Sequence, residues 1–102
     1  MYLSVIVCCY RGERTIKNCI NSLFNQSYPK NKYEIIIVND GAIDNSLTII
    51  KALINNHEIG EPNILLVDKK NEGLSIARNE GLNIAKGEVV IYIDEDAVAK
   101  SN

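Results

Sequence analysis

Three consecutive carboxylates, Asp94-Glu95-Asp96, directly follow the apolar residues 88–93, which read as a buried strand. Carboxylates at the mouth of an apolar strand are costly without a compensating cation, so the triplet is a candidate divalent-metal site. In an extended chain Asp94 and Asp96 share a face roughly 6–7 Å apart, too far for both to grip one ion. One would bind it directly and the other through a water or a sugar hydroxyl. The alternative is a solvated acidic turn that caps a following helix.

Asp40 is a second candidate, in the turn Asn39-Asp40-Gly41 after another apolar run. Gly41 allows a positive-φ turn, which would project Asp40 over the end of the strand, where it could accept hydrogen bonds from a nucleotide base. The alternative is an ordinary turn aspartate, a common residue at such positions.

Arg78 is a third candidate, about one and a half turns into a helix that opens near Gly73. Its planar cation could bind a diphosphate. It could equally be a surface arginine, in line with Leu74 and Leu82 on the same helix.

The cysteines argue against a zinc site. Cys8 and Cys9 are adjacent in a strand and therefore face opposite ways, and His57 is the only histidine. Cys19 falls on the apolar stripe of a helix and is expected in the core. The glycine-rich motifs of dinucleotide-binding and P-loop proteins are absent from the sequence.

The elements that must position these groups follow from the hydrophobic pattern. Strands are predicted at residues 3–9, 34–38, 63–67 and 88–93, with a helix in each interval. Asp44 or Ser46 would cap the second helix, and Gly87 would close the third. The predicted buried positions of the third helix are Leu74, Ala77, Gly81, Leu82 and Ala85.

A β-α-β-α-β-α-β order with apolar strands predicts an α/β fold. We expect three layers, α-β-α, around a mostly parallel sheet of about four strands. Right-handed crossovers bring the carboxyl ends of parallel strands to one edge, where ligands bind in open sheets. Residues 8–10, 39–41, 68–70 and 94–96 should meet there.

Length and charge limit the class of protein. The 102 residues predict one domain, 1–102, and a net charge of −2 without a basic cluster excludes nucleic acid as an expected partner. No apolar run has the length to span a membrane, and we expect no signal peptide, because residues 1–4 lead into the first strand without a charged leader or cleavage site. Three cysteines cannot form a closed set of disulfides. A cytoplasmic location is expected, with the inner face of the membrane as the alternative for a full-length protein.

Five motifs in order resemble glycosyltransferase family 2, specifically the nucleotide-sugar-binding half of its GT-A fold. They are Ser4-Val5-Ile6-Val7 with Tyr10, Gln26-Ser27-Tyr28-Pro29, Glu34 to Gly41 with Asp44, Gly73 with Ala77-Arg78-Asn79, and Gly87-Glu88 before Asp94 and Asp96. The resemblance covers essentially the whole chain.

The resemblance implies an inverting transferase that takes a nucleotide-diphosphate sugar, commonly a UDP-sugar, with Mn²⁺ or Mg²⁺. Cys8 and Tyr10 would border the base, and Asp40 would bind the uracil edge. Arg78 would lie near the base or the diphosphate. Asp94 would approach the ribose and the metal, and Asp96 would hold the metal on the diphosphate.

Departures from the family pattern suggest a looser donor pocket or another nucleotide. Cys8-Cys9 stands where relatives often have Pro-Thr, and Asn39 replaces the first aspartate of the usual pair. The general base and the cleft for a saccharide or lipid-linked acceptor would belong to a second half that this chain lacks. The isolated chain would then be inactive, and its open sheet edge would allow self-association. The competing interpretation is a non-catalytic nucleotide-binding or regulatory α/β module.

Overall fold

Strands and helices alternate as the hydrophobic pattern predicts, in a computed structural model that describes residues 1–10, 12–41, 44–56, 62–70 and 73–94. The strands are β1 (Leu3–Cys9), β2 (Tyr33–Asp40), β3 (Asn63–Lys69) and β4 (Val89–Asp94). The helices are α1 (Ile16–Phe24), α2 (Ser46–Asn55) and α3 (Leu74–Ile84), and a short 3-10 turn, Lys30–Lys32, precedes β2. All four strands are parallel in the order β3-β2-β1-β4, which confirms the predicted sheet.

Two apolar clusters on opposite faces of the sheet produce the predicted three layers. Successive residues of a strand point to opposite faces, so Cys8 and Cys9 enter different clusters, as expected. Helices α1 and α2 cover the face that holds Cys9, and Ile50 of α2 belongs to the same cluster. Helix α3 covers the other face, where Ala77 packs with Cys8 and Val38.

Strands β2 and β4 differ in how far they are covered. All eight residues of β2 are buried, because β1 and β3 flank it and helices lie on both faces. Strand β4 lies at the edge of the sheet, where Val89, Ile91 and Tyr92 are 39% to 43% exposed. The prediction of a buried strand there was wrong, because among the described residues only β1 pairs with β4. Self-association through this edge stays a prediction.

Gly41 and Gly87 have different roles in the fold. β2 extends through Asn39 and Asp40, so the chain turns only at Gly41, whose φ is 66°. Helix α3 ends before Gly87, and that glycine instead allows a close approach to β1. Leu82 was also misassigned to the packed side of α3, since it is 46% exposed.

Candidate functional site

Three of the predicted site residues lie on one face of the sheet at its carboxyl edge. Cys8 pairs in register with Val38 of β2 on one side and with Asp94 of β4 on the other. Asp40 lies two residues beyond Val38 on the same strand. Because paired residues of parallel strands share a face and side chains alternate along a strand, Cys8, Asp40 and Asp94 all belong to the face that α3 covers.

The spacing of the two carboxylates decides what they can bind. The strand separation and the stagger along the sheet put the Cα atoms of Asp40 and Asp94 about 12 Å apart. That distance is too long for both carboxylates to coordinate one ion. It suits contacts with two parts of an extended ligand that lies across the ends of β2, β1 and β4.

Burial differs among the predicted base-contacting residues. Asp40 is 6% exposed and Cys8 is 8% exposed, whereas Tyr10, just beyond β1, is 40% exposed. The neighbouring Asn39 belongs to the opposite face, where its Nδ2 donates to Asp68 Oδ1 at 3.2 Å. Of the three predicted base-contacting residues, Tyr10 is thus the most accessible to a ligand from solvent.

Arg78 leans across the sheet toward β4. Its guanidinium carbon is 5.5 Å from the ring centre of Tyr92, a cation–π distance. Tyr92 precedes Asp94 by two residues, so the two side chains share a face. The contact brings a cation to the side of the site where Asp94 lies. Sequence reasoning missed Tyr92, although the alternation of β4 contains the signal.

Asp44 joins two loops at the same edge. Its carboxylate accepts the backbone N–H of Ser46 at 3.0 Å and that of Glu13 at 3.3 Å, and it also accepts the Ser46 hydroxyl. Burial raises the pKa of Asp44, but these hydrogen bonds outweigh it, and the net pKa lies below the ordinary value. The prediction that Asp44 or Ser46 caps α2 was wrong, because the N-cap is Asn45, which makes no side-chain cap hydrogen bond. Asp44 instead binds the first N–H of the helix from one residue earlier, and its bond to the β1–α1 loop was not foreseen.

Cys19 approaches Asp94 from the other face of the sheet. Its thiol lies 3.7 Å from the backbone carbonyl oxygen of Asp94 and donates to it. Cys19 is 1% exposed, which confirms the prediction that it is a core residue. Helix α1 therefore supports the backbone at the end of β4, directly before the acidic triplet continues.

Of the predicted metal-binding residues, the structure describes Asp94 alone. Asp94 ends β4 and is exposed, which suits a hard oxygen ligand for Mn²⁺ or Mg²⁺. Asp96 and Glu95 lie outside the described residues. Within the described ranges, no group of three or more His, Cys, Asp or Glu residues could hold a metal.

The described helices are also too short or too polar for a membrane. In the described residues, none has the length and apolar character needed to cross one.

Comparison with known proteins identifies the family. The model of glycosyl transferase family 2 matches residues 4–102. The glycosyltransferase YibD of Escherichia coli is 38% identical over 94 residues, which cover 92% of this chain and 26% of YibD. A poly(ribitol-phosphate) beta-glucosyltransferase of Bacillus spizizenii is 35% identical over 98 residues, which cover 94% of this chain and 15% of that protein.

Solved structures show the same fold. The mannosyltransferase PcManGT of Pyrobaculum calidifontis, in complex with GDP-Man and Mn²⁺, superposes with a TM-score of 0.90 at 26% identity, covering 97% of this chain and 28% of PcManGT. Residues 1–349 of TarS from Staphylococcus aureus, in complex with UDP-GlcNAc, give a TM-score of 0.81 at 33% identity, covering 94% of this chain and 27% of those residues of TarS. The chain thus spans only 15% to 28% of the length of these relatives and solved chains.

The parallel α/β fold is that of GT-A glycosyltransferases, and the sequence matches theirs over nearly all of this chain. The chain therefore belongs to glycosyltransferase family 2.

Proposed function

We propose that residues 1–102 form the donor-binding part of an inverting glycosyltransferase that takes a UDP-sugar and a divalent metal. The observation that carries the proposal is the shared face of Cys8, Asp40 and Asp94 at the carboxyl edge of the sheet. Their spread of about 12 Å suits an extended nucleotide better than a compact ligand. TarS was solved with UDP and with UDP-GlcNAc, and PcManGT with GDP-Man and Mn²⁺.

In this proposal the base lies over β2 and β1, and the diphosphate lies toward β4. Asp40 accepts hydrogen bonds from the uracil edge, and Cys8 and Tyr10 border the ring. Asp94 binds the ribose and takes part in the metal site with Asp96. The position of Arg78 above Tyr92 favours the diphosphate over the base as its partner, because the stacked cation lies on the β4 side.

A divalent metal, when bound, neutralises charge that builds up on the leaving diphosphate as the glycosidic bond breaks. Asp94 and Asp96 are the residues of this chain that would hold it. In this proposal the general base and the acceptor site lie in additional sequence, like that which the longer relatives contain. We therefore expect the isolated chain to bind donor without transferring sugar.

Calorimetric titration with UDP, in Mn²⁺ and again in EDTA, tests the proposal. We expect weak binding that needs the metal and is lost in Asp96→Ala, with GDP as the matched nucleotide to test the base preference. Tight UDP binding that EDTA leaves unchanged would contradict the metal role. Equal affinity for UDP and GDP would contradict the role of Asp40 in reading uracil.

The competing function is a non-catalytic nucleotide-binding module. It predicts that UDP binds without metal and that fusion to the second half of a relative gives no transfer. Transfer of sugar by such a fusion, lost again in Asp96→Ala, would favour the enzyme.

A further inference from the structure

A buried polar cluster lies at the amino end of the sheet, far from the carboxylates of the candidate site. Ser4 and Glu34 are register partners on β1 and β2, and both are 0% exposed. The Ser4 hydroxyl donates to Glu34 Oε2 at 2.6 Å. A carboxylate is among the most expensive groups to bury, so its presence in the second position of a central strand needs a reason.

The same two side chains hold the loop between α3 and β4. The backbone N–H of Lys86 donates to Glu34 Oε2 at 2.8 Å, and that of Gly87 donates to Ser4 Oγ at 2.8 Å. We call Ser4, Glu34 and the N–H groups of Lys86 and Gly87 the amino-end cluster. It connects β1, β2 and the residues that lead into β4.

The loop reaches this position only because residue 87 is glycine. A Cβ on Gly87 would lie 2.5 Å from the backbone nitrogen of Ser4 and 2.6 Å from its Oγ. One residue later, the N–H of Glu88 donates to the carbonyl of Tyr2 at 2.8 Å, and β4 begins. Three consecutive backbone N–H groups therefore fix the start of β4, two of them against the start of β1 and one, from Lys86, against Glu34 of β2.

Fold stability alone does not account for the carboxylate of Glu34. It accepts the N–H of Lys86, two residues beyond the carboxyl end of α3, and the helix dipole disfavours a negative charge near that end. Among the described residues its Oε1 has no hydrogen-bond partner. Replacing buried charged groups by apolar ones of similar volume is often neutral or stabilising, whereas buried polar groups can specify a unique register.

We propose that Glu34 is a positioning residue for the donor site, which it serves by fixing the register of β4 against β1. Within the described part of the chain, β1 is the only strand that holds β4. A slip of two residues would keep every side chain on its face but move Asp94 about 6.6 Å along the sheet, out of register with Cys8 and to a different distance from Asp40. This inference rests on the proposed function, because it gives that register a role in binding.

The first test measures the register without any ligand. Glu34→Leu removes the acceptor at similar volume, and Glu34→Gln keeps one oxygen for both donors. We expect Leu to weaken protection of the Lys86 and Gly87 amides from hydrogen exchange and to alter the cross-strand NOEs between β1 and β4. Glu34→Gln should retain both, as should Lys86→Ala, which keeps the backbone N–H.

The second test separates the two halves of the site by comparing uracil with UDP and Mn²⁺. Asp40 lies on β2, whose pairing with β1 does not depend on the loop. We therefore expect Glu34→Leu to leave the affinity for uracil unchanged and to lower the affinity for UDP with Mn²⁺ by roughly 10- to 100-fold. A general loss of structure would reduce both.

The outcomes distinguish the two proposals. If wild-type protein shows no metal-dependent UDP binding, the proposed function fails. The amide protection and the β1–β4 NOEs of Glu34→Leu then decide by themselves whether Glu34 fixes the register. Unchanged NOEs and amide protection in Glu34→Leu would overturn the positioning role. If Glu34→Leu does not fold, Ser4→Ala replaces it, with the same direction and a smaller change expected; a Ser4→Ala variant that matches wild type in protection and binding would also overturn it.

Discussion

The two ends of this sheet use polar residues in opposite ways. At the amino end, Ser4 and Glu34 are fully buried and bond to each other and to the α3–β4 loop. At the carboxyl end, Tyr10 and Asp94 are exposed beside the buried Asp40. Polar groups that bond one another hold strands together, whereas polar groups that face solvent remain able to bind a ligand. The amino end therefore sets the geometry that the carboxyl end uses.

A substitution at the amino end should have the largest effect on stability. Gly87→Ala places a methyl group 2.5 Å from the Ser4 nitrogen, and overpacking of this kind costs about 1–3 kcal/mol or more. Urea unfolding followed by circular dichroism measures the change. Lys86→Ala is the matched control, since its exposed side chain should contribute within about 0.5 kcal/mol. Equal stability of the two variants would mean that the loop does not pack tightly on β1.

A substitution at the carboxyl end should affect binding and leave stability alone. Asp94→Asn removes an exposed charge, so unfolding should change by less than about 0.5 kcal/mol. Loss of a charge-assisted contact should weaken UDP binding in Mn²⁺ by roughly 10- to 100-fold in calorimetry. Asp40→Asn is the comparison, because it should weaken binding of uracil as well as UDP, whereas Asp94→Asn should leave uracil binding unchanged. A large loss of stability in Asp94→Asn would contradict the prediction that residues at the carboxyl end affect binding and not stability.

The stacking of Arg78 on Tyr92 should have a smaller effect on binding. Tyr92→Leu removes the aromatic ring, and an exposed cation–π contact is worth about 0.5–1 kcal/mol, or roughly 2- to 5-fold in UDP affinity. Tyr92→Phe keeps the ring and should bind as wild type does. If Leu and Phe behave alike, the ring does not orient Arg78.

The pH dependence of Asp44 should be the smallest effect. Because its folded pKa lies below the ordinary value of 3.8, its contribution to stability is present above that value and is lost as pH falls through the folded pKa. Asp44→Asn can still accept the Ser46 N–H but cannot titrate. Its stability should therefore fall less than that of wild type between about pH 5 and pH 2.5 in thermal unfolding. Parallel curves would assign the acid sensitivity to other carboxylates.

The elements were largely predictable from the sequence, and the amino-end cluster was not. Alternating apolar runs and helical stripes predict four parallel strands because periodicity reports which faces are buried. Glu34 gave no such signal, since a charged residue at the start of a strand ordinarily faces solvent. Its burial depends on Ser4 and on a loop more than fifty residues away in sequence.

The place of the candidate residues was predictable, but their contacts were not. Parallel topology brings the strand ends to one edge, so the position of Cys8, Asp40 and Asp94 at that edge followed from element order. The contact of Arg78 with the Tyr92 ring depends on how α3 packs on the sheet. The hydrogen bonds that Asp44 accepts from the N–H groups of Ser46 and Glu13 depend on how the two loops pack together.

The sequence by itself determined the element order, the parallel sheet, the family and the edge at which chemistry-bearing residues meet. Those features arise from local periodicity and from the handedness of the connections. Only the tertiary structure decided that β4 is an exposed edge strand, that Gly87 is needed for close packing and that Glu34 is buried. Each of these depends on contacts between residues far apart in the chain, which no local pattern encodes.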